Sequence, residues 1–190
     1  MIRKNLVAIA MMCTVSAALA LEMNGVQVPD TTKVGTADLV LNGAGVRTRA
    51  IFKVYVGALY LPEKKTAAAD VIAQKGAKRV AMHLLRDLSA EQVAGALDSM
   101  GDNLGEAERE RLKPQIAELK ATMEAVGEAR EKSVITIDFV PGSGTRIALN
   151  GVQKGKTIAG DELYGALLRI WVGDKPVDRD LKSGMLGASK

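Results

Sequence analysis

Basic and hydroxyl-bearing side chains interrupt the most apolar part of the sequence, the segment 39–61. Arg47, Arg49, Lys53 and Tyr55 all occupy odd positions there. Because side chains of one parity share one face of a continuous β-strand, the pattern predicts that these four lie together. The face is either a solvent-exposed surface that its charges keep soluble or a basic functional site, and the pattern alone favours neither.

Other residue types that commonly do chemistry are scarce. His83 is the only histidine, which argues against a histidine-based catalytic triad and a histidine cluster for zinc. The segment 151–157 has three residues between its first two glycines, where a phosphate-binding loop has four. Gly43-Ala44-Gly45 lacks the third glycine of a dinucleotide site. We therefore expect no metal and no cofactor, and we interpret both glycine-containing segments as turns.

The first twenty residues have the pattern of a secretory signal peptide. Arg3 and Lys4 form a basic start, an apolar stretch follows, and the small residues of 18–20 are typical of a cleavage site. The apolar stretch is too short to span a bilayer. The sequence thus predicts a signal peptide at 1–20 and a mature domain at 21–190, which works in a bacterial periplasm without stable membrane insertion.

The charge balance of the mature chain excludes some classes of partner. Without Arg3 and Lys4, the 26 basic side chains of the full sequence become 24, against 22 acidic ones. This near balance, together with an aromatic content of only 3%, argues against a nucleic-acid-binding surface. Cleavage would also remove Cys13, the only cysteine, so neither a disulfide nor a thiolate nucleophile is expected.

Hydrophobic periodicity predicts blocks of strands and blocks of helices. The strands are predicted at 39–61, with a turn at 42–45, and at 79–85, 133–140, 145–149 and 152–154. The helices are predicted after the N-cap Ser89, over 106–126 and over 159–171, with a short tail after 176. Pro114 is expected to bend or divide the second helix. The segregation of the two types favours an antiparallel α+β domain.

Several short motifs follow one another in an order that carries a family resemblance. They are Asn-Gly-Ala-Gly-Val-Arg at 42–47, Lys-Val-Tyr-Val-Gly-Ala-Leu-Tyr-Leu-Pro at 53–62, Leu88-Ser89, Trp171-Val172-Gly173, Pro176-Val177 and Leu181. Their order resembles the chalcone isomerase superfamily, in particular its exported bacterial chalcone-isomerase-like proteins. The resemblance implies an open-faced β-sandwich, in which helices pack on one face of a large antiparallel sheet and a ligand cleft lies between sheet and helices.

The resemblance also implies roles for individual residues. In plant chalcone isomerases the arginine of the matching Gly-x-Gly-x-Arg stretch binds a phenolate or enolate oxygen of the substrate, and Arg47 matches it. Tyr55 stands where those enzymes have a threonine, and Val93 and Met100 stand where they have a tyrosine and an asparagine. An arginine with a tyrosine is instead similar to the fatty-acid-binding branch, where the pair holds a carboxylate. Such a pair can donate two parallel hydrogen bonds from the guanidinium and a third from the hydroxyl.

We therefore expect a non-catalytic periplasmic protein that binds a fatty acid or a similar apolar carboxylate. Arg47 and Tyr55 would hold the carboxylate, and Leu97, Met100 and Leu104 would line the cleft. The alternative is an intramolecular lyase of the chalcone isomerase type, in which Arg47 stabilises an oxyanion. If Arg47 is an unpaired buried cation in the empty protein, Arg47→Met should weaken carboxylate binding and stabilise the fold.

Overall fold

The computed structural model describes residues 20–188, so the predicted signal peptide lies outside the described residues except for Ala20. Within these residues, β1 (Ala20–Met23) and β2 (Val26–Pro29) form a two-stranded ribbon. A seven-stranded antiparallel sheet follows, in which each strand pairs with its neighbours in the chain. Its strands are β3 (Thr31–Val34), β4 (Ala37–Arg49), β5 (Phe52–Leu61), β6 (Lys78–Leu84), β7 (Val134–Val140), β8 (Gly144–Leu149) and β9 (Val152–Ile158).

The helices pack on one face of this sheet. They are α1 (Ala68–Ala73), α2 (Ala90–Gly95), α3 (Glu106–Val126), α4 (Glu162–Val172) and α5 (Arg179–Met185), with a 3-10 helix at Asp98–Asn103. Alternate residues of the strands, such as Leu59 and Ile137, join Leu119, Leu167 and the other apolar helix residues in one core. The ribbon of β1 and β2 covers the opposite face, where Val28 is buried. The predicted α+β fold, an antiparallel sheet with helices on one face, is confirmed.

Local signals in the sequence set several element boundaries. Ser89 and Gln92 form the predicted capping box at the start of α2. Asn150 and Gly151, both at positive φ, form the turn before β9, so the glycine-containing segment 151–157 is a turn and a strand. Pro114 is expected to bend or divide α3; a division is wrong, because α3 continues through Pro114, and a bend stays a prediction. Pro114 is exposed, so water can reach the carbonyl that the proline leaves without a backbone partner.

The turn predicted at 42–45 is wrong, because these residues lie inside β4. Their glycines allow α5, which replaces the predicted tail, to approach the strand closely. A Cβ on Gly45 would lie 2.9 Å from the Cα of Leu181, so any larger residue would push the helix away. Asn42 fixes the far end of the contact by donating a 2.7 Å hydrogen bond to the carbonyl of Met185. The observed hairpin turn is Ala50-Ile51.

Candidate functional site

A cavity of about 880 Å³ lies between the sheet and the helices, where the family resemblance implies a cleft. The sheet contributes Met82 and Ile137 to its floor, α3 contributes Met123, and α4 contributes Ile170 and Trp171. Each of these five side chains is at most 5% exposed to solvent. The deep part of the cavity is therefore apolar and suited to an apolar ligand.

An irregularity in the β4–β5 pairing determines which polar side chains reach the cavity. Arg47 pairs directly with Tyr55, but Thr48 pairs with Lys53. Val54 is therefore an extra residue in β5, unpaired with β4, as in a β-bulge. Arg47 and Tyr55 both line the cavity. Lys53 instead donates a 2.5 Å hydrogen bond to the side chain of Asn24 in the ribbon turn. The prediction that Lys53 shares the face of Arg47 is wrong, because the extra residue reverses the alternation of side chains.

Arg49 lies nearer the mouth of the cavity, among the residues that line it. Its side chain is exposed, whereas that of Arg47 is only 22% exposed. The two arginines therefore differ in depth, and Arg47 is the one placed to meet a ligand inside the cavity.

The guanidinium of Arg47 faces a carboxylate of the protein itself. Its Nη1 lies 3.6 Å from Oδ2 of Asp178 and donates a 2.5 Å hydrogen bond to the carbonyl of Thr48. Asp178 is the N-cap of α5, and the close contact of α5 with β4 places it there. The expectation that Arg47 is unpaired in the empty protein is therefore wrong.

Asp178 is held as an anion by its surroundings. Burial opposes its ionisation, but backbone N–H groups of Thr48, Leu181 and Asp180 donate to it, and together with the Arg47 charge they lower its pKa below the usual value. The three hydrogen bonds measure 2.9, 3.1 and 2.9 Å in that order. Asp178 thus stays charged beside Arg47 at neutral pH.

Tyr55 is held by the indole of Trp171, whose Nε1–H donates a 3.0 Å hydrogen bond to the tyrosine oxygen. Burial raises the pKa of Tyr55 to about 12, although the Trp171 hydrogen bond and the Arg47 charge act in the opposite direction. The hydroxyl is therefore neutral at physiological pH. Because its oxygen accepts from Trp171, its own proton can be donated to a ligand in the cavity.

The three apolar residues predicted to line the cleft lie in different places. Leu97 lines the cavity near the end of α2. Met100 and Leu104 are buried in the core, at 2% and 7% exposure, and are not among the described residues that line the cavity. They follow Leu97 at helical spacing, but the chain changes from an α-helix to a 3-10 helix at Asp98, which changes the direction of their side chains.

Sequence reasoning missed two residues of the polar group. Trp171 enters the sequence analysis only as part of a family motif, although a single tryptophan whose N–H needs a partner is a signal in itself. Asp178 precedes Arg179-Asp180-Leu181, and an aspartate before such a segment is a typical N-cap. The sequence predicts a tail in place of α5, so it gives no sign that the N-cap Asp178 lies beside Arg47.

The lone histidine lies outside this cavity. His83 is on β6 and borders a second cavity of about 680 Å³, which lies beside the ribbon turn Asn24-Gly25. Burial lowers the pKa of His83. In residues 20–188, no group of three or more histidine, cysteine, aspartate or glutamate side chains could hold a metal ion.

Comparison with known proteins finds a solved structure with a similar fold and a matching family model. No curated protein sequence matches the chain. The solved structure of a fatty-acid binding protein from Arabidopsis thaliana superposes with a TM-score of 0.67, covering 88% of this chain and 95% of that one. The two sequences are 15% identical, so this likeness establishes the fold. The family model described as chalcone isomerase-like matches residues 20–187, and the chain belongs to this family.

Proposed function

We propose that this protein binds a fatty acid or a similar apolar carboxylate without transforming it. The apolar tail occupies the cavity between sheet and helices, and the carboxylate meets Arg47 and Tyr55. The observation that carries the proposal is the pairing of a cation with a neutral hydroxyl donor on the wall of a cavity whose deep part is apolar. The fatty-acid-binding activity named for the Arabidopsis protein supports it, since the two proteins share the fold.

The cavity and the polar pair would contribute differently to binding. At about 0.8 kcal/mol per buried methylene, a tail of ten carbons contributes roughly 8 kcal/mol before association costs. Hydrogen bonds to a charged group contribute about 1.5–3 kcal/mol. The tail would therefore set most of the affinity, and Arg47 with Tyr55 would set the orientation and the preference for a carboxylate.

The test begins with protein purified from its native host and analysed by native mass spectrometry and lipid extraction. We expect an acyl carboxylate to copurify. In titrations with a fatty acid, Arg47→Met should raise the Kd roughly 30-fold, the equivalent of about 2 kcal/mol. Arg130→Met is the matched control, because Arg130 is 70% exposed and lies outside the cavity lining.

Two results would contradict the proposal. One is the absence of a copurifying ligand together with no binding and no rise in melting temperature on addition of fatty acids, because a ligand of the folded state must stabilise it. The other is equal binding by Arg47→Met and Arg130→Met, which would show that the cation in the cavity has no part in recognition.

An absorbance assay with a chalcone separates binding from catalysis. We expect the chalcone band to decay at its spontaneous rate with or without protein. Val93 and Met100, which match the tyrosine and asparagine of the plant enzymes, are each 2% exposed and sit in the core, apart from the described cavity lining. A faster decay that Arg47→Met abolishes would replace the binding function with an isomerase.

We also propose that the protein is exported to a periplasm after cleavage behind Ala20. The basic start, the short apolar stretch and the small residues at 18–20 support this location. Cleavage there would leave β1 paired with β2 through Leu21, Glu22 and Met23. Fractionation of the host with mass spectrometry of the intact protein is the test, and a mass that retains residues 1–20 in the cytoplasmic fraction would contradict it.

A further inference from the structure

The tip of the β4–β5 hairpin exposes two large hydrophobic side chains. Ile51 is 85% exposed and Phe52 is 54% exposed. Among the described residues, the other exposed large hydrophobic side chains are Leu21 and Val152, which lie on other hairpins. An isolated exposed residue needs no explanation, but two adjacent ones at the end of a projecting hairpin form an apolar point.

The residues of this turn are poorly suited to a turn alone. The β1–β2 and β8–β9 hairpins use Asn24-Gly25 and Asn150-Gly151, with both residues at positive φ. This is the preferred chemistry for a two-residue hairpin. The β4–β5 hairpin instead turns at Ala50-Ile51, where Ala50 has a φ of 54°. An alanine at positive φ is unfavourable, so the side chains at this tip are not explained by the turn itself.

Cations surround the apolar point. No acidic residue occurs between Asp38 and Glu63, whereas Arg49 and Lys53 flank the tip and are exposed. Arg86 places its guanidinium 4.8 Å from the ring centre of Phe52. The acidic residues that line the cavity, Glu91 and Asp98, belong to the helical segment, on α2 and just after it. The hairpin side of the mouth is therefore basic and the helical side is acidic.

We propose that the β4–β5 tip docks on the surface of an anionic lipid bilayer. Ile51 and Phe52 enter the boundary between headgroups and acyl chains, and Arg49, Lys53 and Arg86 contact the lipid phosphates. In residues 20–188 no helix is long and apolar enough to cross a membrane. The positive charge on the hairpin is complementary to an anionic surface, which favours a bilayer over a neutral apolar partner.

The position of the tip links docking to the cavity. Arg49, Ala50 and Phe52 belong both to the tip and to the cavity lining. A docked protein would therefore hold the cavity mouth against the bilayer, where apolar carboxylates partition. Docking itself follows from the exposed side chains and charges and does not depend on which ligand the cavity holds.

Flotation with lipid vesicles tests the proposal. The full chain is mixed with vesicles of phosphatidylcholine alone or of phosphatidylcholine with phosphatidylglycerol. We expect binding to the anionic vesicles only. Ile51→Ser should weaken this binding roughly tenfold or more, and Arg49→Gln roughly fivefold. Val152→Ser is the matched control, because Val152 is 63% exposed at the start of β9, away from the β4–β5 tip, and should leave vesicle binding unchanged.

Three results would overturn the proposal. The first is no flotation of the unmutated chain with anionic vesicles, and the second is equal weakening by Val152→Ser and Ile51→Ser. The third is an unmutated chain that does not bind vesicles but forms a dimer in size-exclusion chromatography, which Ile51→Ser converts to a monomer. This result would assign the tip to a second copy of the chain. Fatty-acid titration of Ile51→Ser without vesicles should match the unmutated chain, so failure of docking is distinguishable from failure of ligand binding.

Discussion

Two arginine–aspartate pairs lie on opposite faces of the same sheet and differ in geometry. Arg79 makes a bidentate contact with Asp138, with hydrogen bonds of 2.6 Å and 2.7 Å, and its remaining Nη1 donates to Thr32 at 2.7 Å. Arg47 has a single 3.6 Å approach to Asp178. Burial does not explain the difference, because the two arginine side chains are 20% and 22% exposed.

The difference lies in what each guanidinium has left to donate. Arg79 has a partner at each of its three nitrogens, so the pair joins β6 to β7 and β3 as a structural cross-link. Arg47 uses Nη1 for Thr48 and faces Asp178 at a distance longer than a hydrogen bond. A cation that is neutralised but not fully hydrogen-bonded can stay in the empty protein and still bind an incoming carboxylate.

The largest expected effect comes from breaking the structural pair. Asp138→Ala leaves the half-buried Arg79 without its carboxylate, and we expect the free energy of unfolding to fall by about 3 kcal/mol. Fatty-acid affinity of the folded fraction should not change, because the pair lies on the other face of the sheet. Denaturant unfolding and ligand titration measure the two quantities.

Asp38→Ala is the control for this prediction. Asp38 also pairs with a cation across neighbouring strands, but the Lys33 and Asp38 side chains are 69% and 78% exposed. Exposed pairs contribute little, so stability should barely change. A similar loss in both variants would show that the bidentate geometry of Arg79 and Asp138 has no special importance.

A smaller loss of stability is expected for Arg47→Met. The substitution removes the charge that faces Asp178, but Asp178 keeps three backbone donors, so the free energy of unfolding of the empty protein should fall by about 1 kcal/mol. This reverses the stabilisation expected for an unpaired cation. Thermal unfolding without ligand is the measurement, and a stabilised Arg47→Met variant would show that the 3.6 Å contact contributes nothing.

Asp178→Asn sharpens the comparison from the other side of the ion pair. The amide can still cap α5, but it no longer competes with a ligand carboxylate for Arg47. We expect fatty-acid binding to strengthen roughly threefold, about 0.7 kcal/mol. Unchanged or weaker binding would show that Asp178 orients Arg47 more than it competes with the ligand.

The pH dependence of stability gives a second measurement on the same variant. Because the pKa of Asp178 is lowered in the folded state, its ionisation stabilises the fold above the unfolded pKa of about 3.9, and this contribution is lost as pH falls through the lower folded value. The unmutated chain should therefore exceed Asp178→Asn in stability at neutral pH, and the difference should vanish in strong acid. A difference that persists there would have another origin.

The fold was largely predictable from the sequence, whereas the site was predictable only in part. Periodicity and the capping box at Ser89 located most strands and helices, since these signals depend on neighbouring residues. The glycines at 43 and 45 resemble a turn in the sequence, but they are needed for the close approach of α5, a contact between distant parts of the chain. Likewise, nothing local indicates that Val54 is an extra residue and turns Lys53 away from the cavity.

The smallest expected effect belongs to Tyr55→Phe. The change removes one neutral donor to the carboxylate, so the Kd should rise about twofold, or 0.5 kcal/mol. Phenylalanine would also leave the Trp171 N–H without its acceptor, and a shift in the fluorescence of this single tryptophan would report that the hydrogen bond existed.

The unmutated chain and Tyr55→Phe together also test whether the Tyr55 hydroxyl is buried. Burial raises the pKa of Tyr55 to about 12, so the hydroxyl should remain a donor throughout the range from about pH 6 to 10. Over that range a carboxylate ligand is ionised and Arg47 is charged, so the ratio of the two Kd values should be constant. A ratio that falls towards one near pH 10, where an exposed tyrosine would be about half ionised, would show that Tyr55 is solvated and loses its donor proton there.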